Sequence, residues 1–265
     1  MPFNPTDPRP PYRRIAEHLR DLIYSHKLAP GDRLPSEREL VEQFGTAQAT
    51  VRQALAVLKT EGLIDSVHGL GYFVRQPSPV IHRRSSTGHF VQEAKAQGHT
   101  GDQRLLEVTG PHDPPPDVAA RLDLEDGEHV IVRRYLLLLD DEPAQLADSY
   151  FPADLVRDTR IAEFIDIVPG GVHAELQRAL SLEVQQFTED LTTRMPSPQE
   201  IQALRLSPGT PVVRLLRTTY ASPPGHEDEA RPVEVTDYVL AGDKHVLSYQ
   251  IRATERWTDD GWTPK

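Results

Sequence analysis

Cysteine is absent from all 265 residues, which excludes disulfides and every thiolate metal site. No apolar run approaches the ~18 residues that a membrane span needs. The proline-rich opening, Met1 to Pro11, lacks the apolar core of a secretion signal. Together these absences predict a cytoplasmic protein with no membrane partner. Lysine is scarce as well: Lys27, Lys59, Lys95, Lys244 and Lys265 are five among 29 basic residues, and the rest are arginine. There is no serine nucleophile elbow and no phosphate loop. The histidines past the first third, among them His89, His99, His112, His129, His226 and His245, have no ligand spacing. The sequence therefore offers no catalytic residue, no cofactor site and no metal site.

What is present is uneven. The net charge of −11 divides into +3 over residues 1–84 and −14 over the remainder. A mildly basic head on an acidic body is a weak pointer toward nucleic acid. An acidic solvated surface accounts for the charge equally well.

The head reads element by element. Ile15, Leu19, Leu22 and Ile23 recur at helical spacing and predict a helix over Tyr12 to His26, broken by Pro30-Gly31. Ser36 and Glu39 form a capping box that starts a second, short helix, and Gly45 ends it. A third helix over Ala47 to Thr60 buries Val51, Ala54, Leu55 and Leu58, and stops at Gly62. Leu63-Ile64, a glycine turn at His68-Gly69-Leu70-Gly71, and Tyr72-Phe73-Val74 read as a strand, tip and returning strand. Two short helices about a glycine turn, followed by a hairpin, make a winged helix-turn-helix. Its fold predicts a DNA reader. Arg52 and Gln48 lie one turn apart on the third helix, where one major groove can hold both; arginine suits guanine and glutamine suits adenine.

The stretch LPSERELVEQFGTAQATVRQAL, Leu34 to Leu55, with Gly69-x-Gly71-Tyr72-Phe73-Val74 after it, resembles the DNA-binding domain of the GntR family of bacterial transcription regulators. The resemblance implies operator contact by Arg38, Arg52 and the residues opening the third helix, with Gly69 at the wing. The full candidate surface is Ser36, Glu37, Arg38, Thr46, Gln48, Ala49, Thr50, Arg52, His68 and Gly69. Two positions depart from the family pattern. Ala47 replaces a common capping serine, which moves the expected cap to Thr46, and Gln48 replaces a common arginine.

Gln76 to Thr87, with two prolines and three serines, reads as a linker. Beyond it, short helices are expected near Phe90 to Ala96, Val118 to Leu122 and Glu175 to Leu180, with a strand at Arg104 to Val108. An internal repeat follows. Leu122-x-Leu124-x-x-Gly127-x-x-Val130-Ile131 matches Leu204-x-Leu206-x-x-Gly209-x-x-Val212-Val213. Pro143 and Asp148 then match Pro232 and Asp237 after about seven extra residues in Ser222 to Ala230. Each copy predicts a helix end, a glycine turn and a strand hairpin, and two copies predict one antiparallel sheet of approximate two-fold character.

This body resembles the UTRA effector domain of the HutC subfamily. The expected fold class is α+β: a winged helix-turn-helix followed by an α/β effector domain built on an antiparallel sheet. The expected divisions are 1–75 for DNA binding, 76–88 for the linker, 89–253 for effector binding and dimerisation, and 254–265 for a tail. The resemblance implies a homodimer on double-stranded operator DNA, acting as a repressor whose affinity a small-molecule effector changes. Candidate effector contacts are Arg133, Arg134, Asp148, Tyr150, His173, Glu234 and Tyr238. The places where the family carries paired arginines hold Tyr135 and Leu137 here, with Arg133 and Arg134 displaced toward the strand start, so a more apolar or extended ligand is expected than a small anion. Two other readings stay open: a constitutive repressor whose second domain only dimerises, and a lyase-like enzyme.

Overall fold

The computed structural model describes residues 8–75, 80–83, 90–165, 168, 171–249, 255–258 and 261–264. The first helix, α1 (Pro11–Tyr24), opens on proline. Proline there has φ preset for a helix, and the amide it lacks would have no helical partner anyway. The second, α2 (Glu37–Phe44), carries both halves of the capping box. The Glu39 amide donates to Ser36 Oγ at 3.3 Å, and the Ser36 amide donates to the Glu39 carboxylate at 2.7 Å. Gly45 at φ +58° ends α2 in the left-handed region, where a Cβ costs about 1 kcal/mol or more.

The third helix, α3 (Gln48–Thr60), has Ala47 at its N-cap and no side-chain cap. The expected cap by Thr46 does not form. Thr46 closes the preceding helix instead, its amide donating to the Val41 carbonyl at 3.4 Å. The wing is β1 (Ile64–Val67) and β2 (Gly71–Val74), antiparallel with Ile64 opposite Val74 and Val67 opposite Gly71. Ile15, Leu19, Leu34, Leu40, Val51, Leu55, Leu58, Ile64 and Val74 form the head's core, each at most 3% exposed. Helical periodicity had marked the members from α1 and α3.

The stretch read as a linker contains a strand, β3 (Val80–Arg83). Then come α4 (Phe90–Ala96), β4 (Gly101–His112), α5 (Pro116–Arg121), β5 (Val130–Leu139), β6 (Glu142–Pro152) and a short α6 (Ala153–Val156). After a 3-10 turn, Arg160–Ala162, the chain continues with α7 (Val172–Leu180), β7 (Glu183–Arg194), α8 (Pro198–Leu204), β8 (Val212–Ser222) and β9 (Arg231–Ala241). A last strand of this region, β10 (His245–Ser248), pairs in parallel with β3. A backbone hairpin, β11 (Glu255–Thr258) with β12 (Gly261–Pro264), occupies what was read as a tail.

Six strands form one sheet in the order β4-β5-β6-β9-β8-β7. That order is its own mirror about the line between β6 and β9. The sequence repeat is the reason. Counterparts begin at 90 and 172 (α4, α7), 101 and 183 (β4, β7), 116 and 198 (α5, α8), and 130 and 212 (β5, β8), a constant spacing of 82. The second hairpin is longer at its tip, where a 3-10 turn spans Glu227–Glu229, so β6 and β9 begin at 142 and 231. Gly127 at φ +88° and Gly209 at φ +78° hold the equivalent turns, which explains why glycine recurs there. The predicted strand over Arg104 to Val108 is longer than expected, twelve residues with register shifts after Leu105 and Thr109. Bulges of this kind bend an edge strand and break its alternation, which hid its length.

Both sheet faces are covered. On one, Phe90, Ala94, Leu105, Tyr135, Leu137 and Ala147 pack together, and Ile131, Phe151, Leu176 and Val233 form a second cluster. On the other, α5 brings Val118 onto Val130, Val132, Tyr150 and Leu216.

Candidate functional site

Because α3 buries Val51, Ala54, Leu55 and Leu58, the helix must turn its remaining side outward, and Gln48, Ala49, Arg52 and Gln53 are exposed. One carboxylate organises that side. Glu37 Oε2, at the first residue of α2, accepts from Gln48 Nε2 at 2.7 Å and from Arg52 Nε at 2.9 Å. The Tyr72 hydroxyl on β2 is a further partner of Glu37. The Gln48 hydrogen bond, followed by those from Arg52 and Tyr72, holds the Glu37 carboxyl below its usual range against the opposing pull of burial.

The other head candidates spread around this point. Arg38 is highly exposed and donates from Nε to Glu42 at 3.2 Å one turn on, a solvent-screened pair. Ser36 acts in the cap, Thr50 and Thr46 are half-buried, and His68 and Gly69 stand exposed at the wing tip.

The sheet carries a second concentration of polar groups, beneath α7. Glu234 on β9 is 4% exposed. It is bonded to His173 Nε2 at 2.9 Å and accepts from Thr219 Oγ1 and Thr236 Oγ1, each at 3.1 Å. The chain of bonds runs on from Thr236 to Ser149 Oγ at 2.9 Å, crossing from β9 to β6. Beside it, the Arg217 guanidinium lies against the rings of Phe187 and Tyr238, 4.9 and 5.6 Å from their centroids, and donates to Glu189 at 2.8 Å.

Arg133 is fully buried. Its Nε donates to the Tyr135 hydroxyl at 2.6 Å. Its Nη1 donates to the Ile161 and Glu163 carbonyls at 2.9 and 2.8 Å, and its Nη2 to the Ile165 carbonyl at 2.8 Å. Such a cation is tolerated because these bonds replace its hydration. Its donors hold backbone, and it ties the segment after the 3-10 turn onto the sheet.

Of the seven candidates in this region, the structure gathers Arg133, His173, Glu234 and Tyr238 on one face. It does not bring Arg134, Asp148 and Tyr150 to them. Successive residues of a strand point to opposite faces, so Arg134, opposite Asp148 in the register, faces away from Arg133. Arg134 pairs there with Glu107 at 2.7 Å and Asp148 at 3.2 Å. Burial pushes Asp148 up in spite of Arg134, and burial with the nearby charges of Asp148 and Asp237 pushes Tyr150 up to about 12.

Sequence reasoning passed over Ser149, Phe187, Glu189, Arg217 and Thr219. One signal was available for the last two: Arg217 and Thr219 alternate along β8 as Glu234, Thr236 and Tyr238 do along β9. In the first repeat, the places of His173, Phe187, Arg217, Thr219 and Thr236 hold Val91, Leu105, Tyr135, Leu137 and Ala147. The place of Glu234 holds Gln145 and that of Tyr238 holds Ser149, both buried and polar, so the two copies differ in the residues around that centre.

These two constructions have counterparts among known proteins. Residues 11–74 match the bacterial regulatory proteins of the gntR family, and residues 96–246 match the UTRA domain. The chain is 30% identical to the HTH-type transcriptional repressor NagR of Bacillus subtilis, over 83% of its own length and 88% of that protein. It is 28% identical to the histidine utilization repressor of Pseudomonas aeruginosa, over 81% and 83%. The crystal structure of PhnF from Mycobacterium smegmatis shares the fold with a TM-score of 0.57, at 24% identity, over 90% of this chain and 99% of that one. The matched gntR family and the two named repressors are transcription regulators and not enzymes, and the lyase-like reading falls away. With its winged head and its mirrored sheet, the chain belongs to the GntR family, in the branch whose regulators carry a UTRA domain.

Proposed function

We propose that this regulator is a repressor whose grip on operator DNA is changed by a small molecule held on the sheet face beneath α7. Residues 1–75 read the operator and residues 89–253 bind the effector and dimerise. The working form is a homodimer in the cytoplasm, because one head spans a single half-site and two-fold pairing supplies the second. Repression is the reading its relatives' names favour.

The observation that carries effector control is the polar cluster itself. His173, Thr219 and Thr236 stand where the first repeat carries Val91, Leu137 and Ala147, and they gather about Glu234 with Ser149 at the end of the chain of bonds. Burying that many polar groups gains little for stability over an apolar core, so a recognition role accounts for them better. The arrangement of Arg133 argues against a small-anion clamp, because its donors already hold the Tyr135 hydroxyl and three carbonyls. Arg133 is then a positioning residue, and His173, Arg217, Thr219, Glu234 and Tyr238 are the proposed contacts.

An anisotropy titration on duplexes from the region upstream of the protein's own gene tests the reading, with light scattering to fix the oligomeric state. Specific binding by a dimer, released by a metabolite that also raises the melting temperature, is the expected result. Operator binding that no metabolite in a broad screen alters would favour the constitutive repressor instead.

A further inference from the structure

The candidate recognition helix is controlled by a residue outside it. We propose that Glu37 fixes the base edges α3 can read, presenting Gln48 as a reader of adenine and Arg52 as a reader of guanine. This rests on the DNA-reading role proposed for the head.

The argument begins with the amide of Gln48. A glutamine side chain has an acceptor end and a donor end, and either can lead unless a neighbour decides. An ionised carboxylate only accepts. With Glu37 Oε2 at 2.7 Å, the end of Gln48 that faces it must be Nε2. Gln48 is exposed, and what it keeps for a partner is Oε1 and the second hydrogen on Nε2. In the major groove adenine offers N6–H as a donor beside N7 as an acceptor. An acceptor beside a donor is the complement of that edge. Guanine offers two acceptors there and leaves Oε1 facing O6.

Arg52 is held by the same oxygen through Nε, at 2.9 Å. Its side chain is nonetheless 64% exposed. The grip at Nε leaves Nη1 and Nη2 pointing outward together, the fork that pairs with guanine O6 and N7. Glu37 is itself fixed from two sides, by its place at the start of the capped α2 and by Tyr72 on the wing. The clamp thus sets both readers at once and links α2, α3 and β2. An arginine at position 48 would replace the adenine preference with a second guanine preference.

The test is selection from a randomised duplex library with the full-length wild type, Gln48→Arg and Glu37→Gln. The selected sites are then measured one base pair at a time, together with the salt dependence of binding. For the wild type, exchanging the selected adenine for guanine should weaken binding about tenfold. Gln48→Arg should reverse that preference. In Glu37→Gln the neighbour both donates and accepts, so discrimination at the adenine should fall to about twofold, and preference for guanine at the Arg52 position should weaken as Nε loses its ionised partner. The slope of affinity against salt should not change, because phosphate contacts set it.

The proposal is overturned if Gln48→Arg binds DNA and selects the wild-type base, or if Glu37→Gln keeps full discrimination at the adenine. Gln48 is exposed, so its variant reports even if Glu37→Gln folds poorly. Failure of the wild type to prefer any sequence would instead overturn the DNA-reading role itself.

Discussion

His173 on α7 and Glu234 on β9 meet at 2.9 Å, and this contact joins a helix to the centre of the sheet. Burial alone would lower the imidazole's pKa, yet the hydrogen bond and charge of Glu234 outweigh it, and His173 titrates above its usual value. Burial would raise Glu234, yet the bond and charge of His173, followed by the bonds from Thr219 and Thr236, hold it below its own.

The stability this pair contributes should follow pH. The share of His173 is complete below about pH 6.5 and fades as pH rises through its raised pKa. The share of Glu234 is complete above about pH 4.5 and fades as pH falls through its lowered one. In the overlap, His173→Gln should cost about 3 kcal/mol, the scale of a broken buried pair. The gap in melting temperature between wild type and variant should narrow toward pH 9. A gap that stays constant from pH 5 to 9 would refute the ion pair.

Arg133 gives a second prediction. Arg133→Met removes every bond to the Ile161, Glu163 and Ile165 carbonyls and to the Tyr135 hydroxyl. Buried groups left without partners cost about 1–3 kcal/mol each before relaxation, so a loss of about 3 kcal/mol in urea unfolding is expected. Amide exchange over residues 160–165 should rise before that of β5. An unchanged unfolding midpoint would show that these bonds do not hold the segment.

Arg52 is exposed, so Arg52→Ala should leave the melting temperature within about a degree. Loss of a good base pairing is worth roughly 1–3 kcal/mol, which corresponds to about 5- to 150-fold in operator affinity. Arg38→Ala should weaken operator and random duplex alike and reduce the salt slope by about one. Anisotropy on both duplexes separates the two cases; equal losses on operator and random DNA for Arg52→Ala would argue against base reading.

Gly101 tests the packing of α4 on β4. A Cβ there would stand 2.8 Å from the Val91 Cα and 3.1 Å from the Ala94 Cβ, too close for either to remain in place. Gly101→Ala should destabilise the protein by about 1–3 kcal/mol, read as a shift in the denaturation midpoint. No shift would mean that α4 is more loosely seated than its contacts indicate.

The head could be read from sequence because its signals are local. A cap at Ser36, a stop at Gly45 and apolar spacing in α3 each act within one or two turns. The repeat was equally legible, since Leu-x-Leu-x-x-Gly recurs with its strands, and it led directly to the mirrored sheet. The polar cluster was legible only in part. His173 and Glu234 are 61 residues apart, and Ser149 meets Thr236 only through the alignment of β6 with β9. That Arg133 and Arg134 face opposite ways follows from strand alternation, but which way each faces depends on what α5 and α7 cover. The strand at Val80–Arg83 was missed because its partner, His245–Ser248, lies far along the chain.

The duplication has a consequence for how such a protein can change. The two copies of one unit differ in what they bury. One keeps a hydrophobic cluster around Phe90, Leu105 and Leu137, while the other carries His173, Thr219 and Thr236 at places that are apolar in its twin. Under the proposed effector role, substitutions at 173, 217, 219 or 236 should alter what that half recognises without touching the cluster around Phe90, Leu105 and Leu137. Under the proposed function, that asymmetry predicts one effector per chain where the repeat would have allowed two.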